Sequence, residues 1–273
     1  MKILIAADME GVTGVVHWDQ VNPSHSEYPR FRKLMTGDVN AAIRGAFAGG
    51  ASSVSVTDGH NAGRNILIEE LDPRASLNTG RPSPFSMVQG ADQGVDGVIF
   101  IGYHARMGAA NAILDHTWDP RTLANVWVNG RLFGEAGLNG AVCGHFGAPV
   151  IMASGDQALC TEASEFFGDV ETVVVKHAVG RMAAECLPPA VTAGRIEESA
   201  ERAVRRLGGG YAPAPFIVTT PVTMVLELAQ SEMADRASLM PGASRLEDRK
   251  VQYLAADMPA AYLAFRSLIA LAS

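Results

Sequence analysis

Cysteine is scarce and poorly placed for cross-linking. The three in the chain, Cys143, Cys160 and Cys186, are odd in number, widely spaced and free of any C-x-x-C pair. That excludes a disulfide framework and a cysteine-rich structural zinc site, and each reads as a small core hydrophobe. A catalytic thiol has no supporting residues nearby in sequence. Positive charge is also short: 22 Lys and Arg against 29 Asp and Glu leave a net charge of -7. With no Lys/Arg cluster, nucleic acid is excluded as an expected partner. No apolar run approaches the ~18 residues of a membrane span, so no transmembrane helix is expected. A basic stretch followed by an apolar one is missing from the N-terminus, so no signal peptide is read and a cytoplasmic location is expected. Phosphate-loop glycines of the G-x-x-x-x-G-K-[ST] kind are missing as well.

What remains is an ordinary globular composition, 48% hydrophobic and 19% charged over 273 residues, enough for a large core in one big domain or two unequal ones. Three short apolar runs end in acids or imidazoles. Ile3-Leu4-Ile5-Ala6-Ala7 leads into Asp8-Met9-Glu10-Gly11, Val54-Ser55-Val56-Thr57 into Asp58-Gly59-His60, and Val98-Ile99-Phe100-Ile101 into Gly102-Tyr103-His104. Such runs read as buried strands of a parallel sheet, and ligands in open α/β sheets gather at the carboxyl ends of the strands.

Helical spacing of Phe31, Leu34, Met35, Val39, Ile43 and Phe47 predicts a helix over about 30–50, stopped by Gly49-Gly50. Residues 124–133 read as a hairpin turning at Asn129-Gly130, and 134–146 as a small-residue helix. Strands are expected at 149–153 and 173–175 around a helix near 156–167. After Leu187-Pro188-Pro189 a helix over 190–207, strands at 216–228 and 250–255, and a closing helix over 259–271 are expected. The predicted fold is α/β, a mostly parallel sheet flanked by helices. A loose boundary near Leu187 divides an expected α/β domain over 1–187 from a smaller α+β domain over 188–273. The first carries these acidic and imidazole strand ends as the expected metal-binding catalytic domain, and the second is a candidate for oligomer contacts.

Asp8 and Glu10 are two apart, so on a strand both carboxylates point the same way. The bland alternative is a capping Asp8 and a solvated Glu10. His60 and His104, at equivalent ends of successive strands, strengthen the ligand reading, since imidazole and carboxylate donors suit zinc or a comparable divalent ion. Glu135, framed by glycines at a strand-to-helix junction, reads equally as a further ligand or as a helix N-terminal acid complementing the dipole. These donors exceed the needs of one tetrahedral ion. A two-metal site, with ions about 3.5–4 Å apart and a bridging carboxylate, would use them all. His116, in Asp115-His116-Thr117, reads as a general acid/base or nucleophile, or as an ordinary loop histidine. His17, His25, His145 and His177 are left structural, and Asn139 is read chiefly as a structural hydrogen-bonding residue.

The series Asp8-Met9-Glu10-Gly11, Asp58-Gly59-His60, Gly102-Tyr103-His104-Ala105-Arg106 and Gly134-Glu135-Ala136-Gly137-Leu138-Asn139 resembles that of the zinc-dependent D-aminopeptidases. Pro84-Phe85-Ser86-Met87-Val88 and Leu239-Met240-Pro241-Gly242 resemble that family too, so the likeness runs end to end. It implies two zinc ions per subunit bridged by Asp8, with Glu10 and His104 on one ion, His60 and Glu135 on the other, and His116 as the catalytic histidine. It further implies short peptide substrates beginning with a D-residue such as D-alanine, and a homo-oligomer, a decamer with inward-facing sites. Asp115 or a backbone carbonyl is the expected acceptor for the substrate amine. Three readings compete. One is a two-metal hydrolase of another class, a non-peptide amidase or phosphoesterase. Another is a structural metal-binding protein, disfavoured by the cysteine positions. The last is a nucleotide binder, disfavoured because Asp8-Met9-Glu10-Gly11-Val12-Thr13-Gly14 lacks G-x-G-x-x-G.

Overall fold

The computed structural model describes residues 1–273. The chain opens with β1 (Lys2–Ala7), the short α1 (Trp18–Val21), α2 (Tyr28–Ala48), β2 (Ser53–Asp58), β3 (Ala75–Asn78) and β4 (Gly97–Ile101). The middle adds β5 (Leu123–Val128), β6 (Arg131–Phe133), α3 (Glu135–His145), β7 (Val150–Asp156), α4 (Gln157–Phe167), β8 (Glu171–Gly180) and β9 (Ala183–Cys186). Then come α5 (Pro189–Gly208), β10 (Val222–Leu228), α6 (Ser231–Ala237), β11 (Ala243–Glu247), β12 (Lys250–Ala255) and α7 (Met258–Ala272).

Seven strands form the main sheet in the order β3-β2-β1-β4-β7-β8-β9, all neighbours parallel except the β8–β9 pair. A second, antiparallel sheet runs β11-β12-β10-β5-β6. The opening strand shows why its sequence is apolar at every position. Ile3 and Ile5 enter one core with Phe31, Met35, Val39 and Ile43 of α2 and Ile196 and Ala200 of α5. Leu4 and Ala6 enter the other, shared with α3, α4, α7 and the second sheet. A strand covered on both faces needs apolar residues at successive positions, not at alternate ones. β10 differs, its residues alternating between buried and half-buried, as expected of a strand covered on one face.

The mixed α/β class agrees with the sequence reading, and the helices expected at 30–50, 134–146, 156–167, 190–207 and 259–271 correspond to α2, α3, α4, α5 and α7. At the hairpin tip Asn129 and Gly130 have φ of 49° and 79°, the left-handed pair that a two-residue turn demands. The strand expected from Phe216 begins only at Val222, and β3, β9, β11 and α6 were not expected at all. As for the two-domain division at 187/188, α5 lies against α2, and β10 hydrogen-bonds to β5. Residues from both sides of that position therefore share each core. No helix is long and apolar enough to cross a membrane.

Candidate metal centre

The centre lies at the carboxyl ends of three adjacent strands, β2, β1 and β4. Register places Ala7 opposite both Asp58 and Ile101, so the three strands end level. Asp8 N–H donates to the Ile101 carbonyl at 2.8 Å and Gly59 N–H to the Ala7 carbonyl at 2.7 Å, carrying the pairing past the strand ends. Asp8, His60 and His104 are delivered from these three tips. Strand alternation is not what unites Asp8 with Glu10, however. β1 stops at Ala7, and the two carboxylates converge through a turn closed by Val12 N–H donating to the Met9 carbonyl at 3.1 Å. That turn lies flush on the β4 tip. A Cβ on Gly11 would sit 1.7 Å from the Tyr103 carbonyl oxygen, and one on Gly102, whose φ is +70°, would meet the Asp8 carbonyl oxygen at 2.4 Å. Glu135 enters as the first residue of α3, and His116 from the loop between β4 and β5.

The six side chains form one buried cluster, each at most 8% exposed. Asp8 divides its oxygens: Oδ1 lies 3.5 Å from His60 Nδ1 and Oδ2 lies 3.3 Å from His104 Nε2. Glu10 Oε2 approaches His60 Nδ1 at 3.1 Å. Glu135 Oε1 lies 3.4 Å from His104 Nε2 and 3.7 Å from His116 Nε2. Ligand atoms of Asp8, Glu10 and His104 fall within 4.8 Å of one another, as do those of His104, His116 and Glu135. The set that the family resemblance gives to one ion, Asp8 with Glu10 and His104, is thus together. His60 sits beside Glu10 and Asp8, while Glu135 sits beside His104 and His116.

Each histidine is anchored by a backbone carbonyl. His60 Nε2 donates to Val21 O at 2.8 Å, His104 Nδ1 to Ala105 O at 3.0 Å, and His116 Nδ1 to Leu114 O at 2.8 Å. A carbonyl only accepts, so these nitrogens carry the protons and the opposite ring nitrogens turn inward. This is the orientation that outer hydrogen bonds impose on metal-ligating imidazoles. Asp8 Oδ2 and His104 Nε2 are buried with no hydrogen-bond partner, which is costly unless a cation satisfies them.

The protonation balance makes the same point. Burial would raise Asp8, but His104 and His60 outweigh it and hold the carboxyl well below its usual range. Burial opposes charge on His60, yet Glu10 and Asp8 lift it well above the ordinary imidazole value. His104 behaves likewise, with burial overcome by Glu135 and Asp8. Glu135 is lowered, its burial overcome by His104 and His116. The cluster therefore demands positive charge, which a divalent cation bound to neutral imidazoles would also supply. His116 is the exception: burial, then the charge of His104, lowers it, so it favours the neutral form.

A cleft of about 880 Å³ opens onto the centre, and Trp18, Arg81, Trp118 and Arg266 also line it. None of these four was singled out in the sequence, where nothing marks an isolated Arg or Trp as facing a site. The His116 ring is stacked on His104 at 4.0 Å between centroids and met edge-on by Trp18 at 5.3 Å. Asp115 accepts from Arg181 Nε and Gly108 N–H, one on each oxygen, at 2.8 and 2.7 Å, and it is not among the residues that line the cleft. Asn139 is structural, receiving Tyr262 O–H at 2.9 Å and donating to Tyr103 Oη at 3.0 Å. Burial raises the thiols of Cys143 and Cys160, the latter to about 12, so neither is a ready nucleophile.

Comparison with known proteins identifies the family and the fold. The family model described as D-aminopeptidase matches residues 1–267. A D-aminopeptidase of Bacillus subtilis is 35% identical over 273 residues, covering 100% of this chain and 98% of its own. A solved structure described as the Zn-dependent D-aminopeptidase DppA from Bacillus subtilis, a self-compartmentalizing protease, aligns with a TM-score of 0.95 at 34% identity, covering 100% of this chain and 98% of that one. End-to-end likeness in sequence and fold places the chain in the D-aminopeptidase family of metallopeptidases.

Proposed function

We propose that the chain removes the N-terminal residue from short peptides that begin with a D-amino acid, D-alanine foremost, with two zinc ions per subunit. The observation that carries this reading is the set of inward-facing imidazole nitrogens and carboxylates around the orphaned Asp8 Oδ2 and His104 Nε2. Asp8, one oxygen toward each imidazole, would bridge the ions; Glu10, His60, His104 and Glu135 would complete their ligands. What zinc supplies when bound in such a site is Lewis-acid polarisation of the scissile carbonyl and a lowered pKa for a water nucleophile.

The chain's own residues do the rest. His116, neutral and pinned through Nδ1 by the Leu114 carbonyl, presents Nε2 to accept the proton of the attacking water and return it to the departing amine. Trp18 packs edge-on against that ring and restricts its rotation. Glu135 Oε1 also receives Trp118 N–H at 2.6 Å, which fixes the carboxylate toward His104 and His116. The substrate amine would find its acceptor in a backbone carbonyl, Asp115 lying outside the cleft lining. The description of the solved relative as self-compartmentalizing supports a closed homo-oligomer, and we take its size, a decamer, from the family resemblance. Native mass spectrometry is expected to read that assembly, and a monomer would refute it.

The deciding assay is release of D-alanine from D-Ala-D-Ala and D-Ala-Gly-Gly, with the L-Ala counterparts and a phosphate ester in parallel. Zinc-dependent release confined to the D-peptides is expected. Turnover of the ester or the L-peptides alone would replace this reading with another two-metal hydrolase.

A further inference from the structure

The cleft holds two guanidinium groups with no acidic partner. Arg81 donates to the carbonyl of Gly59, the residue before His60, and its Cζ lies 5.5 Å from the centroid of the Trp118 ring. Arg266, half-buried on α7, donates through Nη1 to the carbonyls of Ser83 and Pro84 at 2.6 and 2.5 Å. Neither forms an ion pair, whereas Arg121 at the same cleft meets Asp119 and Arg181 meets Asp115. The nearby carboxylates are already committed to imidazoles. Both line the cleft, and burial holds Arg266 below its ordinary value, opposed by Tyr262 and assisted by the charge of Arg81. Two like charges held by backbone carbonyls, one partly withdrawn from water, are unfavourable unless an anion joins them.

A peptide supplies such an anion. Its N-terminal end is drawn to the metal centre, and in a short peptide the C-terminal carboxylate follows into the same cleft. A protein of net charge -7 repels that carboxylate unless fixed cations receive it. Arg81 touches the backbone next to His60, so the receiving site lies only a few residues from the scissile bond. We propose that Arg81 and Arg266 bind the C-terminal carboxylate of the substrate, which makes short peptides with a free C-terminus the substrate class. This inference rests on the aminopeptidase reading above. A guanidinium pair grips a carboxylate through charge-assisted hydrogen bonds that a neutral amide cannot replace.

The test measures calorimetric binding to the zinc-loaded full chain. Its ligands are the reduced isostere D-Ala-ψ[CH2NH]-Gly, which cannot be hydrolysed, and the C-terminal amide of the same compound. The acid is expected to bind about ten- to a hundredfold more tightly than the amide. That ratio is expected to fall towards unity in Arg81→Gln and in Arg266→Gln, two variants so that one misfolding does not decide the matter. Equal binding of acid and amide by the parent, or a ratio that survives both substitutions, would overturn the proposal. So would acid-like binding of D-Ala-ψ[CH2NH]-Glu amide, whose carboxylate is on the side chain. D-alanine release from D-Ala-Gly-Gly and its amide separates the two levels. Acid-selective binding without release would sink the aminopeptidase reading alone, and equal release from both peptides would sink the carboxylate site alone.

Discussion

At the scale of single residues, Asp8 and His116 make opposite demands on the centre. Asp8 turns one oxygen to His60 and the other to His104, and its Oδ2 has no other buried partner. An amide in its place would present one oxygen and an N–H where two acceptors are needed. Asp8→Asn is therefore expected to lower both zinc content and D-alanine release by at least about a hundredfold, read by metal analysis and assay of the same preparation. In the proposed mechanism His116 would contribute proton transfer more than affinity, since burial, then the charge of His104, lowers its pKa and favours the neutral form. His116→Gln is expected to keep its zinc while kcat falls by about 10²–10⁴. A variant that loses metal and activity together would make His116 a ligand instead.

At the scale of elements, the loop that carries Glu10 is held from three sides. Lys176, fully buried on β8, donates from Nζ to the carbonyls of Glu10, Val12 and Val15 at 2.6, 2.9 and 2.6 Å. Burial lowers its pKa to about 8, with Asp156 the foremost group opposing, so the ammonium retains all three donors at neutral pH. Lys176→Met leaves three carbonyls without a donor, at about 1 kcal/mol or more each. Thermal unfolding is expected to show the loss, with weakened zinc binding because Glu10 is no longer held. Unchanged stability would mean that the loop stands without this tether. From α2, Asp38 accepts Thr13 N–H at 3.0 Å, and Thr13 Oγ1 lies 2.9 Å from Thr192 Oγ1 of α5. Burial raises Asp38 from 3.8 to about 6, against the Thr13 hydrogen bonds. Between those values the folded state holds more protons than the unfolded chain. This group's contribution is thus fully present below 3.8 and is lost as pH rises to about 6, on the order of 3 kcal/mol. Denaturant titrations of the parent and Asp38→Asn are expected to show the parent losing relative stability over that window. Parallel pH profiles would contradict it.

At the scale of the whole molecule, legibility in the sequence followed how local the cause was. Ile3 to Ala7 read as a buried strand because both faces of the main sheet are covered, and the acids and imidazoles beyond the strand tips followed from where parallel strands end. The periodicity of α2 announced its buried face. Where α5 belongs was not legible, since Ile196 and Ala200 state only that one face is apolar, not that α2 receives it. The strands β3 and β11 stayed hidden because edge pairing rests on backbone hydrogen bonds that leave no apolar pattern in Ala75–Asn78 or Ala243–Glu247. Arg81, Lys176 and Arg266 were illegible for a related reason: each acts on residues remote in sequence, Lys176 on a carbonyl 166 positions away. The claim that binds all three scales is that Asp8, Glu10, His60, His104 and Glu135 hold a pair of zinc ions that hydrolysis requires. The most direct test strips the metal and returns zinc stepwise, following bound zinc per chain and D-alanine release from D-Ala-Gly-Gly together. The account predicts no release from the stripped protein and full release as two zinc ions bind per chain, with both losses reproduced by His60→Ala. Release by the stripped protein, or undiminished zinc binding by His60→Ala, would contradict it.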